Sequence, residues 1–340
     1  QSPIPNPQSP IPNPQSFSIK VIIKNIKINS NKMNIDNNEV LDNNLDIKFR
    51  CKYHTDSIMS STVLNDGRFA TCSSDKSIII YNNKTFKPDL IIKEHNNVVN
   101  DILQLRSGML ASCSDDNTIK IFNIKNNNYE VLQTLKYHKG GVIKIIELTN
   151  KKLISCSDDY SFIVYSKNNN KYTKEYHIKN SGPCYCIIQT KENEICYHEN
   201  DFNNSICFYD LFKRKKINKI DFLSEIGYNS FYMITKDLLL ITGGENMSII
   251  NVNQYKIVRT INIPDTYNIS ASCMLNENTL LIGDDKSRIK KWRIEGDNLK
   301  IISTKEQAHD NFITVLMKLE GGHILSGSAD GEIAIWDIII

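Results

Sequence analysis

The chain has 340 residues, of which 40% are hydrophobic and 23% are charged, a composition typical of soluble globular proteins. Its formal net charge of +3 is too small to predict, by itself, binding to nucleic acid or to an anionic membrane. No apolar run reaches the roughly 18–20 residues that span a bilayer, and no secretory signal peptide is visible, although the sequence starts at Gln1 without Met.

The first 44 residues differ from the rest of the chain. Residues 1–16 contain "QSPIPNP" twice in tandem, and because proline removes backbone donors this stretch is predicted to be an extended, disordered linker after a preceding segment. Residues 17–44 begin with the alternating stretch "FSIKVIIKNIKI" and continue into an Asn/Asp-rich run. This extension fits either a single strand or a fragment of a preceding domain, and the sequence does not choose between them.

From about Leu45 onward the chain repeats itself. One eleven-residue string has four near-copies, "TCSSDKSIIIY", "SCSDDNTIKIF", "SCSDDYSFIVY" and "SGSADGEIAIW". The last residue of the string marks seven units spaced 40–44 residues apart, at Tyr81, Phe122, Tyr165, Tyr209, Val252, Trp292 and Trp336. Within a unit, short runs of period-2 alternation are separated by Gly, Asn and Asp, which predicts four strands joined by tight turns.

These units resemble the WD repeat, whose period is about 40–45 residues and whose units carry an early His and end in Trp-Asp. The resemblance covers residues 45–340, and the final unit ends in Trp336-Asp337. It implies an all-β fold, a seven-bladed β-propeller of four-stranded antiparallel blades.

The two ends of the repeated region predict how such a ring closes. The C-terminus stops in the third strand of the seventh unit, and "LDIKFRCKYH" at residues 45–54 matches the fourth-strand segment "EVLQTLKYH" at residues 130–138. We therefore predict that an N-terminal strand, about residues 45–53, completes the last blade and leaves no open sheet edge.

Polar residues recur at fixed distances from the marker, with a His 27 residues before it, a Ser or Thr ten before it and an Asp six before it. The resemblance implies that they form a buried polar network in which each group finds a partner. Its predicted members are His54, Thr71, Asp75, His95, Ser112, Asp116, His138, Ser155, Asp159, His309, Ser326, Asp330 and Trp336.

The units differ in how completely they match this pattern. Only the last one carries all four residue types, since the first three end in Tyr or Phe and lack the indole donor. In the middle units the His position is taken by Gly182, Glu225 and Asp265, and Asp285 lies one residue out of register. Units four to six are thus the weakest part of the match.

Other candidate sites have simpler structural explanations. The His–Ser–Asp set could suggest a hydrolase triad, but four copies in identical strand contexts indicate structure. Cys184 and Cys186 lie on one face of a strand with only His177 near, so packing between blades is favoured over metal binding. The basic run "FKRKKINK" from Phe212 to Lys219 fits an exposed hairpin better than an import signal or a patch for acidic partners.

The positions just before the turn Asp lie, in the family, on the face where partners often dock. Here they are Ser74, Asp115, Asp158 and Ala329, with Asp284 nearby. Carboxylates around one rim would favour a basic ligand, whereas the alternative is that they serve only the turn.

The nine cysteines lie mostly inside strand-like apolar runs, and Cys72, Cys113 and Cys156 share one repeat position. Small buried thiols are expected there rather than a disulfide framework, which predicts a cytoplasmic location, with the nucleus as the alternative.

The predicted function is a non-catalytic protein–protein interaction scaffold that binds other proteins or peptides, including basic segments. One alternative is a substrate receptor of a ubiquitin ligase whose recruiting domain lies upstream of this chain. An enzyme using the propeller channel is the least favoured hypothesis, because no convergent set of titratable residues is visible. No cofactor, metal, small-molecule substrate, nucleic acid or membrane is expected as a ligand.

Overall fold

The computed structural model describes residues 45–169, 171–180, 182–200, 204–221, 230–263, 265–266, 268–295 and 298–338. The predicted linker at 1–16 and the extension at 17–44 lie outside these residues. No helix in the described ranges has the length and hydrophobicity needed to cross a membrane.

The described residues form seven four-stranded antiparallel sheets, which are the blades of a propeller. In blades one to four the strands follow chain order from the centre outward. They are β2 (Ile58–Val63), β3 (Phe69–Ser73), β4 (Ile78–Tyr81) and β5 (Pro88–Ile92); β6 (Val99–Gln104), β7 (Leu110–Ser114), β8 (Ile119–Lys125) and β9 (Asn128–Leu135); β10 (Val142–Glu147), β11 (Leu153–Ser157), β12 (Ser161–Asn168) and β13 (Lys171–Lys179); and β14 (Cys184–Lys191), β15 (Glu194–Glu199), β16 (Ser205–Asp210) and β17 (Lys215–Asp221).

Blades five and six have the same order, and blade seven takes its outermost strand from the start of the described chain. The strands are β18 (Ser230–Met233), β19 (Leu238–Gly243), β20 (Asn246–Asn251) and β21 (Lys256–Asn262); β22 (Ile269–Asn276), β23 (Thr279–Asp284), β24 (Ile289–Glu295) and β25 (Asn298–Lys305); and β26 (Ile313–Lys318), β27 (Ile324–Ser328), β28 (Ile333–Ile338) and β1 (Leu45–Cys51). A 3-10 turn at Glu320–Gly322 joins β26 to β27.

The burial of the residues in a strand depends on the position of that strand within its blade. The second strands β3, β7, β11 and β27 read "FATCS", "LASCS", "LISCS" and "ILSGS" and are buried at every residue, because neighbouring blades cover both of their faces. The fourth strands β9 and β13 instead alternate between exposed and more buried residues, since one of their faces meets solvent. The core therefore lies between successive blades.

The ring closes as predicted. Strand β1 pairs antiparallel with β28, from Leu45 opposite Ile338 to Cys51 opposite Ile333, and so supplies the outermost strand of blade seven. Each blade's innermost strand contacts that of the next blade, and β26 returns to β2. The predicted all-β, seven-bladed fold with N-terminal closure is confirmed.

Strand direction gives the ring two distinct ends. The turns that join second to third strands, together with the connections between blades, lie at the end that carries His54, His95, His138 and His309; we call it the His end. The turns that join first to second and third to fourth strands lie at the opposite end.

Candidate functional site

The first three blades each carry a buried hydrogen-bonded triad at the His end. In blade one, His54 Nδ1 lies 2.9 Å from Asp75 Oδ2 and Nε2 lies 2.8 Å from Thr71 Oγ1. Since the carboxylate only accepts, the Nδ1–H donates to Asp75, and Nε2 shares the second hydrogen bond with the Thr71 hydroxyl. The matching distances are 2.8 and 2.7 Å in the triad of His95, Asp116 and Ser112, and 3.0 and 2.7 Å in that of His138, Asp159 and Ser155.

A further member of this network was missed by the sequence reasoning. The hydroxyls of Ser77, Thr118 and Ser161 donate to the turn carboxylate of their blade over 2.5–2.6 Å. Burial acts to raise the pKa of Asp75, but hydrogen bonds from His54 and Ser77 outweigh it and lower the pKa below its usual range. The signal was available, because these three residues all lie four positions before the marker aromatic.

The marker aromatic ends the network differently in each blade. Trp336 Nε1–H donates to Ser326 Oγ over 2.7 Å in blade seven. In blade three the Tyr165 hydroxyl lies 3.1 Å from Ser155 Oγ and supplies the fourth link in place of an indole. Phe122 has no polar atom, and the network of blade two ends at Ser112.

The carboxylate that pairs with the histidine of blade seven differs from the predicted one. His309 Nε2 lies 2.6 Å from Ser326 Oγ as expected, but its Nδ1 lies 2.8 Å from Glu332 Oε1 rather than from Asp330. Asp330 instead accepts the backbone N–H of Glu332 over 2.9 Å and stabilises the turn. Burial, followed by repulsion from Arg50, lowers the pKa of His309 to about 4, so the ring is neutral and holds the tautomer that donates to Glu332.

Replacing Glu332 with Ala should cost about 1–3 kcal/mol of unfolding free energy, because it leaves the buried Nδ1–H of His309 without its acceptor. Asp330→Ala should cost roughly 0.5–1 kcal/mol, since it loses a partly exposed turn bond and a long, exposed ion pair with Lys52. Urea denaturation of both variants measures the difference. A larger loss for Asp330→Ala would show that Asp330, not Glu332, anchors the histidine.

The middle blades have no histidine at the position that starts the network in the other blades. Gly182, at the His position of blade four, is buried, and Glu225, at that of blade five, lies outside the described residues. In blade six, the backbone carbonyl of the exposed Asp265 accepts a hydrogen bond from Arg288 Nη2 over 2.7 Å.

The prediction that Asp284 lies on the rim is wrong. It lies eight positions before its marker, where four other units have Ser73, Ser114, Ser157 and Ser328, and its side chain is completely buried. Arg288 Nε donates to Asp284 Oδ2 over 2.7 Å, and the fully buried Lys290 Nζ lies 3.9 Å from the same oxygen. Blade six therefore has a buried ion pair beside the turn where other blades have a serine.

The rim position of blade six belongs to Asp285 instead. At this position the backbone N–H donates to the connection from the preceding blade, as in Ser74 to Ser57 O, Asp115 to Val98 O, Asp158 to Gly141 O and Ala329 to Phe312 O. Asp285 N–H donates to Asn268 O over 3.1 Å in the same way, and its side chain is exposed. The residue we predicted to be out of register therefore joins the rim.

Asp115 and Asp158 lie against a single loop. A Cβ added at Gly141 would lie 2.5 Å from Asp115 Oδ1, and one added at Gly140 would lie 2.5 Å from Asp158 Oδ1. Because the two glycines are adjacent, the two carboxylates flank the same stretch of backbone. Partial burial, and then repulsion from Asp115 and Asp159, raises the pKa of Asp158.

The described contacts of this acidic pair leave negative charge unneutralised. Asp115 Oδ1 accepts from Asn100 Nδ2 over 2.6 Å, and among the described residues no basic side chain forms an ion pair with either carboxylate. Asp158 is exposed and Asp115 is partly exposed. The arrangement can bind a cationic group.

Two other sequence candidates are buried. Ser112 and Ser155 have no exposed surface, which leaves no room for a substrate at a hydrolytic nucleophile. Cys184 Sγ lies 3.0 Å from Cys156 Sγ in the core, and burial raises the pKa of Cys186 to about 12. Within the described part of the chain, no group of three or more His, Cys, Asp or Glu side chains is arranged to hold a metal ion.

The basic run in blade four is largely engaged within the protein. Lys216 Nζ pairs with the fully buried Glu199 over 2.7 Å, and the Arg214 guanidinium lies 4.2 Å from the centre of the Tyr176 ring. Lys213 lies 3.7 Å from Asp210 but remains 64% exposed. Part of the run thus stabilises the hairpin, and Lys213 and Lys215 keep exposed side chains.

The family model of the WD domain, G-beta repeat, matches residues 47–82 and 86–123. A comparison with curated proteins finds no match. The first matched stretch begins in β1 and ends just after β4, and the second begins just before β5 and ends within β8. All seven blades share the four-stranded topology. The chain carries WD repeats within residues 47–123 and folds as a seven-bladed β-propeller. Propellers of this family are generally non-catalytic and serve as protein-interaction scaffolds. Because one sequence repeat spans parts of two neighbouring blades, the first and last repeats share a blade and close the ring.

Proposed function

We propose that this WD-repeat protein is a non-catalytic interaction scaffold whose His end binds a basic segment of another protein. The observation that carries the proposal is the pair of carboxylates, Asp115 and Asp158, that flank Gly140–Gly141 and form no ion pair with a basic side chain of the described residues. Asp285 adds a third carboxylate at the equivalent position of blade six. Lysine and arginine side chains are complementary to such a field, which also steers their approach.

A scaffold is favoured over an enzyme by the charged groups on the innermost strands. Asp101 Oδ1 accepts from Ser60 Oγ over 2.7 Å and from Lys144 Nζ over 2.9 Å, and Oδ2 accepts from Ile145 N–H over 3.1 Å. These contacts satisfy the carboxylate and link three blades, so it serves as structure and not as a general base. We place the scaffold in the cytoplasm or the nucleus, as the sequence predicts.

Neutralising the rim should slow binding of a basic peptide. Asp115→Asn with Asp158→Asn keeps side-chain shape and removes two charges, so the association rate for a lysine- and arginine-rich peptide should fall roughly tenfold at low salt. Stopped-flow measurement at increasing ionic strength should bring variant and wild type together, because salt screens the field.

The matched control makes the same charge change at the opposite end, with Glu192→Gln and Asp237→Asn. This pair should leave the association rate close to that of the wild type. Equal effects of the two pairs would mean that only net charge matters, and an unchanged rate in the rim variant would refute the proposed site.

A further inference from the structure

The two ends of the propeller carry opposite charge, which the net charge of +3 conceals. In the described loops of the His end, acidic residues outnumber basic ones. The acidic residues are Asp56, Asp75, Glu94, Asp115, Asp116, Asp158, Asp159, Glu245, Asp265, Asp285, Glu306, Asp310, Asp330 and Glu332, and the basic ones are Lys52, Lys76, Lys93, Lys136, Lys139, Lys286 and Arg288.

At the opposite end, basic residues outnumber acidic ones in the described loops. The basic residues of its described loops are Arg68, Lys84, Lys87, Arg106, Lys151, Lys152, Lys213, Arg214 and Lys236, and the acidic ones are Asp66, Glu192, Asp237, Glu277 and Glu320. Such a charge distribution orients the molecule with this end toward an anionic surface.

The third-to-fourth strand turn of blade four presents an aromatic side chain at this basic end. Phe212 is 82% exposed, the highest value among the large hydrophobic side chains of the described residues. Asp210 Oδ1 accepts the backbone N–H groups of Phe212 and Lys213 over 3.0 and 2.7 Å, which fixes the turn, while the preceding Leu211 is buried. The turn thus holds one apolar residue inward and presents the next to solvent.

Further apolar surface lies nearby on the same end. Ile217 is 39% exposed near the start of β17, and Ile257 and Val258 are 39% and 47% exposed near the start of β21. Both strands begin at the opposite end, beside the cations Lys215 and Lys256. Aromatic and aliphatic groups flanked by lysines are typical of surfaces that enter the headgroup region of a bilayer.

A cleft between blades two and three provides a place for phosphate on this end. It has a volume of about 480 Å³ and is lined by Arg106, Ser107, Glu147, Lys151, Lys167 and Asn169. Glu147 already accepts the backbone N–H of Arg106 over 2.7 Å. Three cations against one engaged carboxylate leave the cleft suited to an anionic headgroup.

We propose that the opposite end of blades two to five docks on an anionic phospholipid membrane, with Phe212 in the interface and Lys151, Lys167 and Lys215 against lipid phosphates. Docking in this orientation leaves the acidic His end facing away from the membrane and free for a protein partner. A nucleic acid is less well matched, since single strands bind to aromatic platforms along a groove and Phe212 is the one strongly exposed aromatic side chain among the described residues of this end.

The test is flotation of the full chain with vesicles of phosphatidylcholine, with and without about 30% phosphatidylserine. We expect binding only to the anionic vesicles and release as salt rises. Phe212→Ala should weaken binding roughly tenfold through lost apolar burial. Lys151→Glu with Lys215→Glu should weaken it at least roughly twentyfold.

The control pair is Lys76→Glu with Lys139→Glu, which makes the same charge change on exposed lysines of the His end. It should bind as the wild type does, and unchanged circular dichroism should show that all variants are folded. The proposal is overturned if the wild type ignores anionic vesicles or if the two charge pairs lose binding equally. It is also overturned if Phe212→Ala has no effect while soluble heparin binds in competition, because the surface would then be a general polyanion site.

Discussion

Removing residues 1–51 should open the ring, lower the melting temperature by roughly 10 °C or more and cause aggregation. This deletion takes away β1, whose backbone pairs with β28 along its whole length, and exposes a sheet edge on blade seven. It also removes Leu45, which is 2% exposed and belongs to the same core cluster as Trp336. Arg50 is lost as well, with its hydrogen bonds to Glu332 and to Ala308 O, both of 2.8 Å.

The control deletion removes residues 1–44 and keeps β1 complete. It should melt close to the full chain and stay monomeric, because every contact of β1 with the described residues is retained. Differential scanning calorimetry with light scattering measures both properties. If the two deletions melt alike and both stay monomeric, β1 does not close the ring.

Replacing Asp284 with Ala should be the most destabilising single substitution in blade six, at about 3–5 kcal/mol. The side chain is fully buried, and Arg288 and Lys290 beside it would lose the carboxylate that compensates their charge. Two backbone N–H groups, of Lys286 and Arg288, would also lose their acceptor. Removing one partner of a buried ion pair costs far more than the net stabilisation that the pair provides.

The adjacent Asp285 is the matched control, because its side chain is exposed and its backbone bond to Asn268 survives substitution. Asp285→Ala should change the unfolding free energy by less than about 0.5 kcal/mol. Guanidinium denaturation of the two variants compares them directly. Similar losses at the two positions would contradict the register described for this blade.

The architecture was predictable because it depends on periodicity. A period of 40–44 residues with four short strands specifies the blades, and the match of residues 45–54 to a fourth strand specifies the closure. Each blade contacts its neighbours in the same way, so local patterns are sufficient to give the global arrangement.

The polar contacts were only partly predictable, because the distance between two residues along the sequence does not determine whether their side chains meet. A histidine ring can meet a carboxylate from two backbone positions, and blade seven uses the longer Glu332 in place of Asp330. In blade six, Arg288 and Lys290 pair with an aspartate where other blades have a serine, which exchanges the roles expected of Asp284 and Asp285.

The charge difference between the two ends could not be predicted from the sequence, for another reason. Acidic and basic residues are interspersed along the sequence and nearly cancel in the total. They separate only when strand direction assigns each turn to one end, so that Asp115 and Asp158 lie on one end and Arg106 and Lys151 on the other.

Binding of a basic segment to the acidic rim of Asp115, Asp158 and Asp285 is tested by carbodiimide cross-linking of the protein to a lysine-rich peptide, followed by peptide mapping. Carbodiimide joins a carboxylate to an amine only when the two are in contact. We expect cross-links at Asp115, Asp158 and Asp285. Cross-links concentrated on Glu192, Asp237 or Glu277 at the opposite end, or none above the level seen with unfolded protein, would contradict the account.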